Sequence, residues 1–162
     1  MGLLSILYRD DALVVIDKPE NVLVHRTRRS RDHVFILQLL RDQIGQHVYP
    51  VHRLDRATSG VLAFALDRAA ASALGRQFSE REVDKTYVAV VRGILEGAGT
   101  IRHELRNAQS GELQESCTDY RALRPCSFPW PVGEHQQALY TVVEARPRTG
   151  RNHQIRRHLK HL

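Results

Sequence analysis

The chain has 162 residues, of which 42% are hydrophobic, a length and composition that suit one globular domain and exclude a disordered chain. Its formal net charge is +6 at pH 7, which favours a polyanionic partner. Two cysteines provide neither a disulfide framework nor a zinc pattern, and no apolar run is long enough to span a bilayer. Since the first residues also lack a signal-peptide pattern, we expect a cytoplasmic protein.

The positive charge is concentrated in two segments. Residues 25–31 contain four arginines and no acidic residue, and residues 145–162 contain no acidic residue either. The second segment carries six basic side chains, those of Arg146, Arg148, Arg151, Arg156, Arg157 and Lys160. Such a run often forms only a solvated face, but two runs in one chain favour a nucleic-acid surface.

In the first half of the chain, short apolar runs predict three strands, at residues 3–8, 12–16 and 61–66. Apolar side chains at helical spacing predict two helices, at residues 33–44 and 68–80. Asp32 and Asp67 immediately precede these helices and are the expected N-caps.

In the second half, the same patterns predict strands at residues 83–91, 100–105, 118–123 and 138–145, and a last helix from Arg151 onward. Strands dominate and do not alternate regularly with the helices. We therefore predict an α+β fold, with a mixed, mainly antiparallel β-sheet and helices packed on it, in one domain over residues 1–162. Because the chain stops inside the last predicted helix, where the final carbonyls need partners, we expect a truncated C-terminus.

The segment HRLDRATSG at residues 52–60 places a carboxylate, that of Asp55, on a predicted loop between two strands. Arg53 and Arg56 are close in sequence, and nearby positive charge favours the ionised form of a carboxyl group. Asp55 can then act as a nucleophile or a base. The alternative is that Asp55 only closes an Asx-type turn. The spacing alone leaves both interpretations open.

Tyr87 is the second candidate residue. It follows Lys85 and Thr86 in a predicted strand whose alternation places Lys85 and Tyr87 on one face and Thr86 and Val88 on the other. The Tyr87 ring is either a core residue whose hydroxyl finds a partner or a flat platform on which a nucleobase stacks.

The last predicted helix carries the third candidate. Asn152, Ile155, Arg156 and Leu159 share one face, which predicts that Arg156 lies on the buried side. A buried arginine needs an anionic partner, and Asp55 is the carboxylate that we would choose. We also expect the Thr-Gly pair at residues 149–150 to expose helix N–H groups that suit a phosphate or a carboxylate.

Nine histidines raise the question of a metal site. His158 and His161 are three residues apart and can pair on a helix, but no third ligand has suitable spacing. Zinc sites need three or four protein ligands, so we predict no bound metal.

Taken together, these motifs resemble the RluA family of pseudouridine synthases. The resemblance rests on HRLD at residues 52–55 followed by TSGV at 58–61, KTY at 85–87 and TGRNHQIR at 149–156. Lys-Pro at residues 18–19 with Val-His at 24–25 is similar to the N-terminal element of the family. Within the family, residues 41–48 most resemble the TruC type, whose members modify uridine 65 of transfer RNA.

The resemblance implies the pseudouridine synthase catalytic fold and isomerisation of uridine in RNA, most of all tRNA, by a monomer that needs no cofactor and no metal. Asp55 matches the essential aspartate, a nucleophile at either the ribose C1′ or the base. Tyr87 matches the tyrosine that stacks on the target base and helps to remove the proton from carbon 5. Arg156 matches the basic residue that pairs with the aspartate.

The resemblance also implies a set of substrate-binding residues. Ile155 matches the apolar residue that lines the pocket, and Arg53 matches an arginine that fills the space left by the flipped nucleotide. His52 and Arg151 lie in the same motifs and complete the expected set.

Three departures from the family pattern matter. Asn21 stands where the family usually has Gly, but Asn tolerates the same left-handed backbone, so we expect little effect. Ala57 stands where Pro or Met is frequent, beside the expected catalytic loop. Members of the family usually continue past the last helix with a Pro-Ile-x-Gly-Asp segment, which is a further reason to expect a truncated chain.

Three alternative functions remain at this point. The first is a ribosomal RNA pseudouridine synthase of the same family, with different basic loops. The second is a non-catalytic RNA-binding domain with the same fold, although all the expected pocket residues are present. The third is a glycosidase-like hydrolase, which would need a second carboxylate as its acid, from Glu80, Glu82 or Asp84.

Overall fold

The structure, a computed structural model, describes residues 2–26, 32–131, 133 and 136–162. Most of the predicted basic segment at residues 25–31 therefore lies outside the described residues. The chain divides into two compact units, Met1–Glu82 and Val83–Leu162, and each is described by itself.

The first unit contains a four-stranded antiparallel sheet. Its strands are β1 (Ser5–Arg9), β2 (Leu13–Lys18), β3 (Tyr49–Pro50) and β4 (Gly60–Ala65), in the spatial order β1-β2-β4-β3. Alternate residues of the two central strands point into the core, because successive side chains of a strand face opposite sides. The fully buried core side chains include those of Val14, Ile16, Ile36, Leu40, Leu62 and Phe64.

Two helices belong to this unit, and the sequence predicted one start correctly. α2 (Arg68–Glu80) has the predicted bounds, and the Asp67 side chain accepts a hydrogen bond of 2.8 Å from the Ala70 N–H. The start predicted for α1 (Ile36–Ile44) is wrong, since its N-cap is Phe35, without a side-chain cap. Asp32 does not cap this helix but forms an ion pair with Arg56.

The second unit contains a second four-stranded antiparallel sheet. Its strands are β5 (Tyr87–Arg92), β6 (Ala98–Arg102), β9 (Cys117–Phe128) and β10 (Ala138–Pro147), in the order β5-β10-β9-β6. A small hairpin, β7 (Leu105–Arg106) and β8 (Leu113–Gln114), and the short helix α3 (Gln154–Leu159) complete the unit. The predicted α+β class with largely antiparallel pairing is confirmed.

Element boundaries in the second unit differ from the prediction in several places. β5 begins at Tyr87 and not at residue 83, and β6 covers Ala98–Arg102 where a strand at residues 100–105 was predicted. β9 is twelve residues long and continues through Pro125 to Phe128, beyond the strand predicted at residues 118–123. α3 begins at Gln154 and not at Arg151, because His153 adopts a left-handed backbone with φ of 53° and so ends the preceding turn.

Candidate active site

Asp55 lies on the loop at residues 51–59, which joins β3 to β4. Leu54 is buried and anchors the loop, while Asp55 itself is half-buried. The Thr58 N–H donates to the main-chain carbonyl of Asp55 at 3.1 Å, so the turn is closed by the backbone. Among the hydrogen bonds found for the described residues, none involves the Asp55 carboxylate.

Lys18 fastens this loop to the end of β2. Its side chain is completely buried, and its ammonium donates to the carbonyl oxygens of Pro19 at 2.7 Å, Thr58 at 2.8 Å and Arg56 at 3.2 Å. An ammonium has three N–H donors, so the three carbonyls satisfy it completely. Two of these carbonyls, those of Arg56 and Thr58, lie on the loop just after Asp55.

Lys18 belongs to a recognised sequence motif, but its role in holding the loop was not predicted. The signal was its register: Val14, Ile16 and Lys18 alternate along β2 and are all buried, so strand periodicity places the lysine on the core face. A lysine at such a position needs polar partners inside the protein.

The charge of Lys18 is coupled to Asp55. Burial lowers the pKa of the Lys18 ammonium below its usual range, while the negative charges of Asp55 and Glu20 act in the opposite direction. Lys18 is therefore a cation that the structure connects electrostatically with the candidate carboxylate.

Arg56 pairs with groups other than Asp55. This corrects the expectation, drawn from its position in the sequence, that its charge acts on the Asp55 carboxyl group. Its guanidinium lies 3.0 Å from a carboxylate oxygen of Asp32 and donates to the carbonyl of Asn21 at 3.2 Å. Asn21 has a φ of 64°, the left-handed conformation expected where the family has Gly. Arg53, the other arginine of the motif, is exposed.

His52 is held inside the first unit. Its ring stacks on the ring of Phe78 from α2, with centroids 4.4 Å apart and planes 16° apart. Its Nε2 accepts a hydrogen bond of 3.0 Å from the Ala63 N–H of β4. These contacts fix the residue that begins the HRLD motif against both a helix and a strand.

Tyr87 is the first residue of β5 in the second unit. It lies opposite Ala145 of β10 and is half-buried, whereas its neighbour Val88 is 68% exposed. The alternation predicted for Lys85 to Val88 is confirmed, since Lys85 and Tyr87 are half-buried and Thr86 and Val88 are exposed.

The prediction that Arg156 lies on the buried face of the last helix is wrong. Arg156 is exposed, Ile155 is half-buried, and the buried residues of α3 are Gln154 and His158. The prediction failed because it assigned the core face from apolar side chains, whereas this helix turns two polar side chains inward and satisfies them with hydrogen bonds.

The expected anion site at residues 149–150 is also corrected. The Arg151 N–H donates to the Gln154 side-chain oxygen at 3.0 Å, and the Thr149 hydroxyl donates to the same oxygen at 2.7 Å. The Arg151 guanidinium donates to the carbonyl of Glu115 at 3.1 Å. These groups are committed to internal bonds that shape the entry to α3.

The histidines form no metal site in the described part of the chain. No group of three or more His, Cys, Asp or Glu side chains there could hold a metal ion. His158 is hydrogen-bonded internally, and the ring of His161 packs against that of His103 with centroids 4.3 Å apart. None of the described helices is long and apolar enough to cross a membrane.

Comparison with known proteins identifies the family. The family model for RNA pseudouridylate synthase matches residues 12–161. The chain belongs to the RNA pseudouridylate synthase family. The prediction made from the HRLD, KTY and TGRNHQIR motifs is thus confirmed at the level of the family.

Two bacterial relatives that the chain closely matches carry the same name. The chain is 44% identical to the tRNA pseudouridine synthase C of Haemophilus influenzae, over 99% of this chain and 72% of that protein. It is 46% identical to the tRNA pseudouridine synthase C of Pasteurella multocida, over 98% of this chain and 70% of that protein.

Two solved human structures share the pseudouridylate synthase fold with this chain. Human RNA Pseudouridylate Synthase Domain Containing 1 superposes with a TM-score of 0.77 and 32% identity, and Domain Containing 4 with 0.71 and 26%. The chain is covered to 96% and 97% in these comparisons but spans 63% and 64% of the two human chains.

Replacement of Lys18 by Met should weaken the fold of the first unit. The apolar side chain leaves three carbonyls without their donor, and a buried polar group without a partner costs about 1–3 kcal/mol. We expect the free energy of unfolding, measured by urea denaturation, to fall by about 2–4 kcal/mol. The matched control is Lys160→Met at an exposed lysine, which should change it by less than about 0.5 kcal/mol. Equal losses in the two variants would contradict the role of Lys18.

His158 should make stability depend on pH. Burial, the largest effect, lowers the pKa of the His158 imidazolium below its usual 6.5; the hydrogen bond to the His103 main chain opposes this, while the charges of His103, His161 and Arg157 add to it. Above about pH 6.5 both the folded and the unfolded chain hold neutral His158, and the stability is fully present. As the pH falls below that value the unfolded chain binds a proton first, so stability declines.

The measurement is urea unfolding at about pH 7.5 and about pH 5.5, where we expect a loss of about 1 kcal/mol attributable to this one group. In a His158→Gln variant the loss should shrink, whereas an exposed-histidine control, His153→Gln, should keep it. A pH dependence that is the same in both variants would refute the assignment to His158.

Proposed function

We propose that this chain isomerises a uridine of RNA to pseudouridine, and that its target is uridine 65 of tRNA. The observation that carries the proposal is the geometry of the HRLD loop: buried Lys18 holds the main chain just after Asp55, at the carbonyls of Arg56 and Thr58, and its charge is coupled to the Asp55 carboxylate. Membership of the family and the name shared by the bacterial relatives support the reaction and the choice of tRNA.

The proposed reaction exchanges one bond of the nucleotide for another. The bond between ribose C1′ and N1 of uracil breaks, the base turns, and a bond forms between C1′ and carbon 5. The proton on carbon 5 is lost and N1 gains one, so neither water nor an electron donor is consumed and no cofactor is needed. Asp55 is the proposed nucleophile, either at C1′ or at the base.

Residues of the second unit supply the other proposed roles. Tyr87 stacks on the target base and helps to remove the proton from carbon 5. Arg156, whose side chain is exposed on α3, is the proposed basic partner of the Asp55 carboxylate. Ile155 lines the pocket, and Arg151 belongs to the substrate-binding set.

RNA binding must offset the cost of base extrusion, which is a few kcal/mol. Stacking on Tyr87 contributes about 1–3 kcal/mol of this. We propose that exposed Arg53 fills the space left by the flipped nucleotide, with His52 beside it in the binding set. Phosphate contacts of the two basic segments, residues 25–31 and 145–162, would add salt-dependent affinity.

The proposal extends to the organisation of the enzyme. Residues 1–162 act as a single catalytic domain. The enzyme acts as a monomer in the cytoplasm, without a metal.

The test of the nucleophile is Asp55→Asn, which keeps the size of the side chain and removes its charge. We expect the single-turnover rate on unmodified tRNA to fall by at least about 1,000-fold, because the variant lacks the proposed nucleophile. Pseudouridine is detected by carbodiimide treatment and primer extension. Asp67→Asn, at the N-cap of α2, should retain the wild-type rate, since that carboxylate only caps a helix.

Two outcomes would overturn this assignment. Asp55→Asn protein that forms pseudouridine as fast as wild type would exclude the nucleophile. Release of free uracil from RNA by the wild type would indicate a glycosidase-like hydrolase.

The choice of substrate is tested separately, by incubating the protein with unmodified tRNA and with unmodified ribosomal RNA. We expect a new carbodiimide-dependent stop at position 65 of tRNA and none in ribosomal RNA. A stop in ribosomal RNA alone would replace tRNA by rRNA as the substrate while leaving the chemistry unchanged. Binding of tRNA without any pseudouridine in either RNA would favour a non-catalytic RNA-binding domain.

A further inference from the structure

The buried side of α3 is polar. Gln154 is 4% exposed and His158 is fully buried, and they face three buried hydroxyl groups, those of Ser116, Thr118 and Thr149. Five buried polar side chains in one place would destabilise the unit strongly unless each one had hydrogen-bond partners.

Gln154 is completely satisfied. Its side-chain oxygen accepts from the Thr149 hydroxyl at 2.7 Å and from the Arg151 N–H at 3.0 Å. Its side-chain nitrogen donates to the carbonyl of Cys117 and to the hydroxyl of Thr118, both at 2.9 Å. Because a main-chain N–H can only donate and a carbonyl can only accept, these partners fix the orientation of the amide.

His158 continues the same chain of hydrogen bonds in one direction. The Ser116 hydroxyl donates to the carbonyl of His103, so towards His158 it can only accept. The His158 Nε2, 2.8 Å from that hydroxyl, must therefore carry the proton. The unprotonated Nδ1 then accepts from the Thr118 hydroxyl at 2.9 Å, while the Thr118 oxygen accepts from Gln154.

The chain of hydrogen bonds thus runs from Gln154 through Thr118, His158 and Ser116 to the carbonyl of His103. Each hydroxyl in it both accepts and donates. A second proton on His158 would place two donors, Nδ1–H and the Gln154 amide, against the Thr118 oxygen. The Thr118 hydroxyl hydrogen would then lose its acceptor, the Nδ1 atom of His158. The geometry therefore favours the neutral imidazole with the proton on Nε2, in which every group of the network has a partner.

This chain of bonds determines where α3 lies. The helix has six residues, far fewer than the 12–15 or so that an isolated helix needs to be stable in water. Gln154 and His158 are four residues apart and lie on one face, so both turns of the helix are bonded to β9 and to the segment before it. Ile155 and Arg156 lie between these two anchors.

We infer that Gln154 and His158 are positioning residues of the enzyme, whose directional hydrogen-bond chain fixes α3 and thereby aims Arg156 and Ile155 at the reacting nucleotide. This inference rests on the proposed function for the roles of Arg156 and Ile155. Neither positioning residue touches the substrate in this account, and each acts through its neighbours on the helix.

The test is a double-mutant cycle of Gln154→Met with Arg156→Gln, measured on unmodified tRNA. Met has the length of Gln but no hydrogen-bonding group. Gln154→Met alone should lower kcat by about 30-fold and leave KM within about threefold, because the groups it misplaces act on the reaction step. In the Arg156→Gln background the same change should cost less than about threefold, since residues that act through one group are not additive.

Control variants keep the result interpretable. Gln77→Met, the same change at an exposed glutamine of α2, should leave kcat unchanged. Thr118→Val removes only the hydroxyl shared by Gln154 and His158, and should lower kcat as Gln154→Met does. It serves as the test variant if Gln154→Met does not fold. An equal loss of kcat in both Arg156 backgrounds, or no loss with folded variants, would overturn the positioning role.

The direction of the hydrogen bonds in this network is tested on the wild-type protein, without any mutation. Long-range proton–nitrogen correlation spectra of the wild type at neutral pH should show His158 as the Nε2–H tautomer. An Nδ1–H or a doubly protonated His158 at neutral pH would refute the inferred chain. A wild type that forms no pseudouridine would instead refute the proposed function, and the spectra would still decide the hydrogen-bond chain.

Discussion

The first unit depends on one buried ammonium group. Lys18 brings a positive charge into the core at the end of β2, and the cost of that burial is met by three carbonyl oxygens. Two of the carbonyls belong to residues 38 and 40 positions later in the chain. The interaction therefore fixes an irregular loop to a strand that is distant in the sequence, which no local turn could do. It holds the loop at Arg56 and Thr58, just after Asp55.

The second unit also has a segment that buried polar groups hold in place, but there these groups are neutral. α3 is too short to hold its own geometry, and the polar side chains of Gln154 and His158 bind it to β9 through partners that are satisfied at every step. In both units a segment with candidate functional residues is held by buried polar groups and not by apolar packing alone. Hydrogen bonds are directional, so they define a position more sharply than a hydrophobic contact of similar area does.

The sequence predicted the strands and α2 well because their signals are local: alternation within a strand, and Asp67 in front of a helix. The motifs also identified the family. The start of α1 and the face of α3 were predicted incorrectly, because Asp32 binds Arg56, far along the chain, and because the buried face of α3 is polar. Alternation along β2 indicates that Lys18 is buried, but its carbonyl partners could not be predicted, since they are main-chain atoms whose identity no sequence pattern records.

The geometry around Lys18 also explains why this position suits lysine and not arginine. The three carbonyls lie 2.7–3.2 Å from a single nitrogen, and an ammonium directs its three N–H groups from one point. A guanidinium spreads five N–H groups over a plane, so it cannot serve three oxygens gathered about one point without moving the loop. The arginine of the same loop, Arg56, accordingly lies at the surface and pairs with Asp32, where a planar donor fits a carboxylate. The two cations thus have separate tasks: the compact buried one sets the main chain beside Asp55, and the planar exposed one ties the loop to the segment before α1.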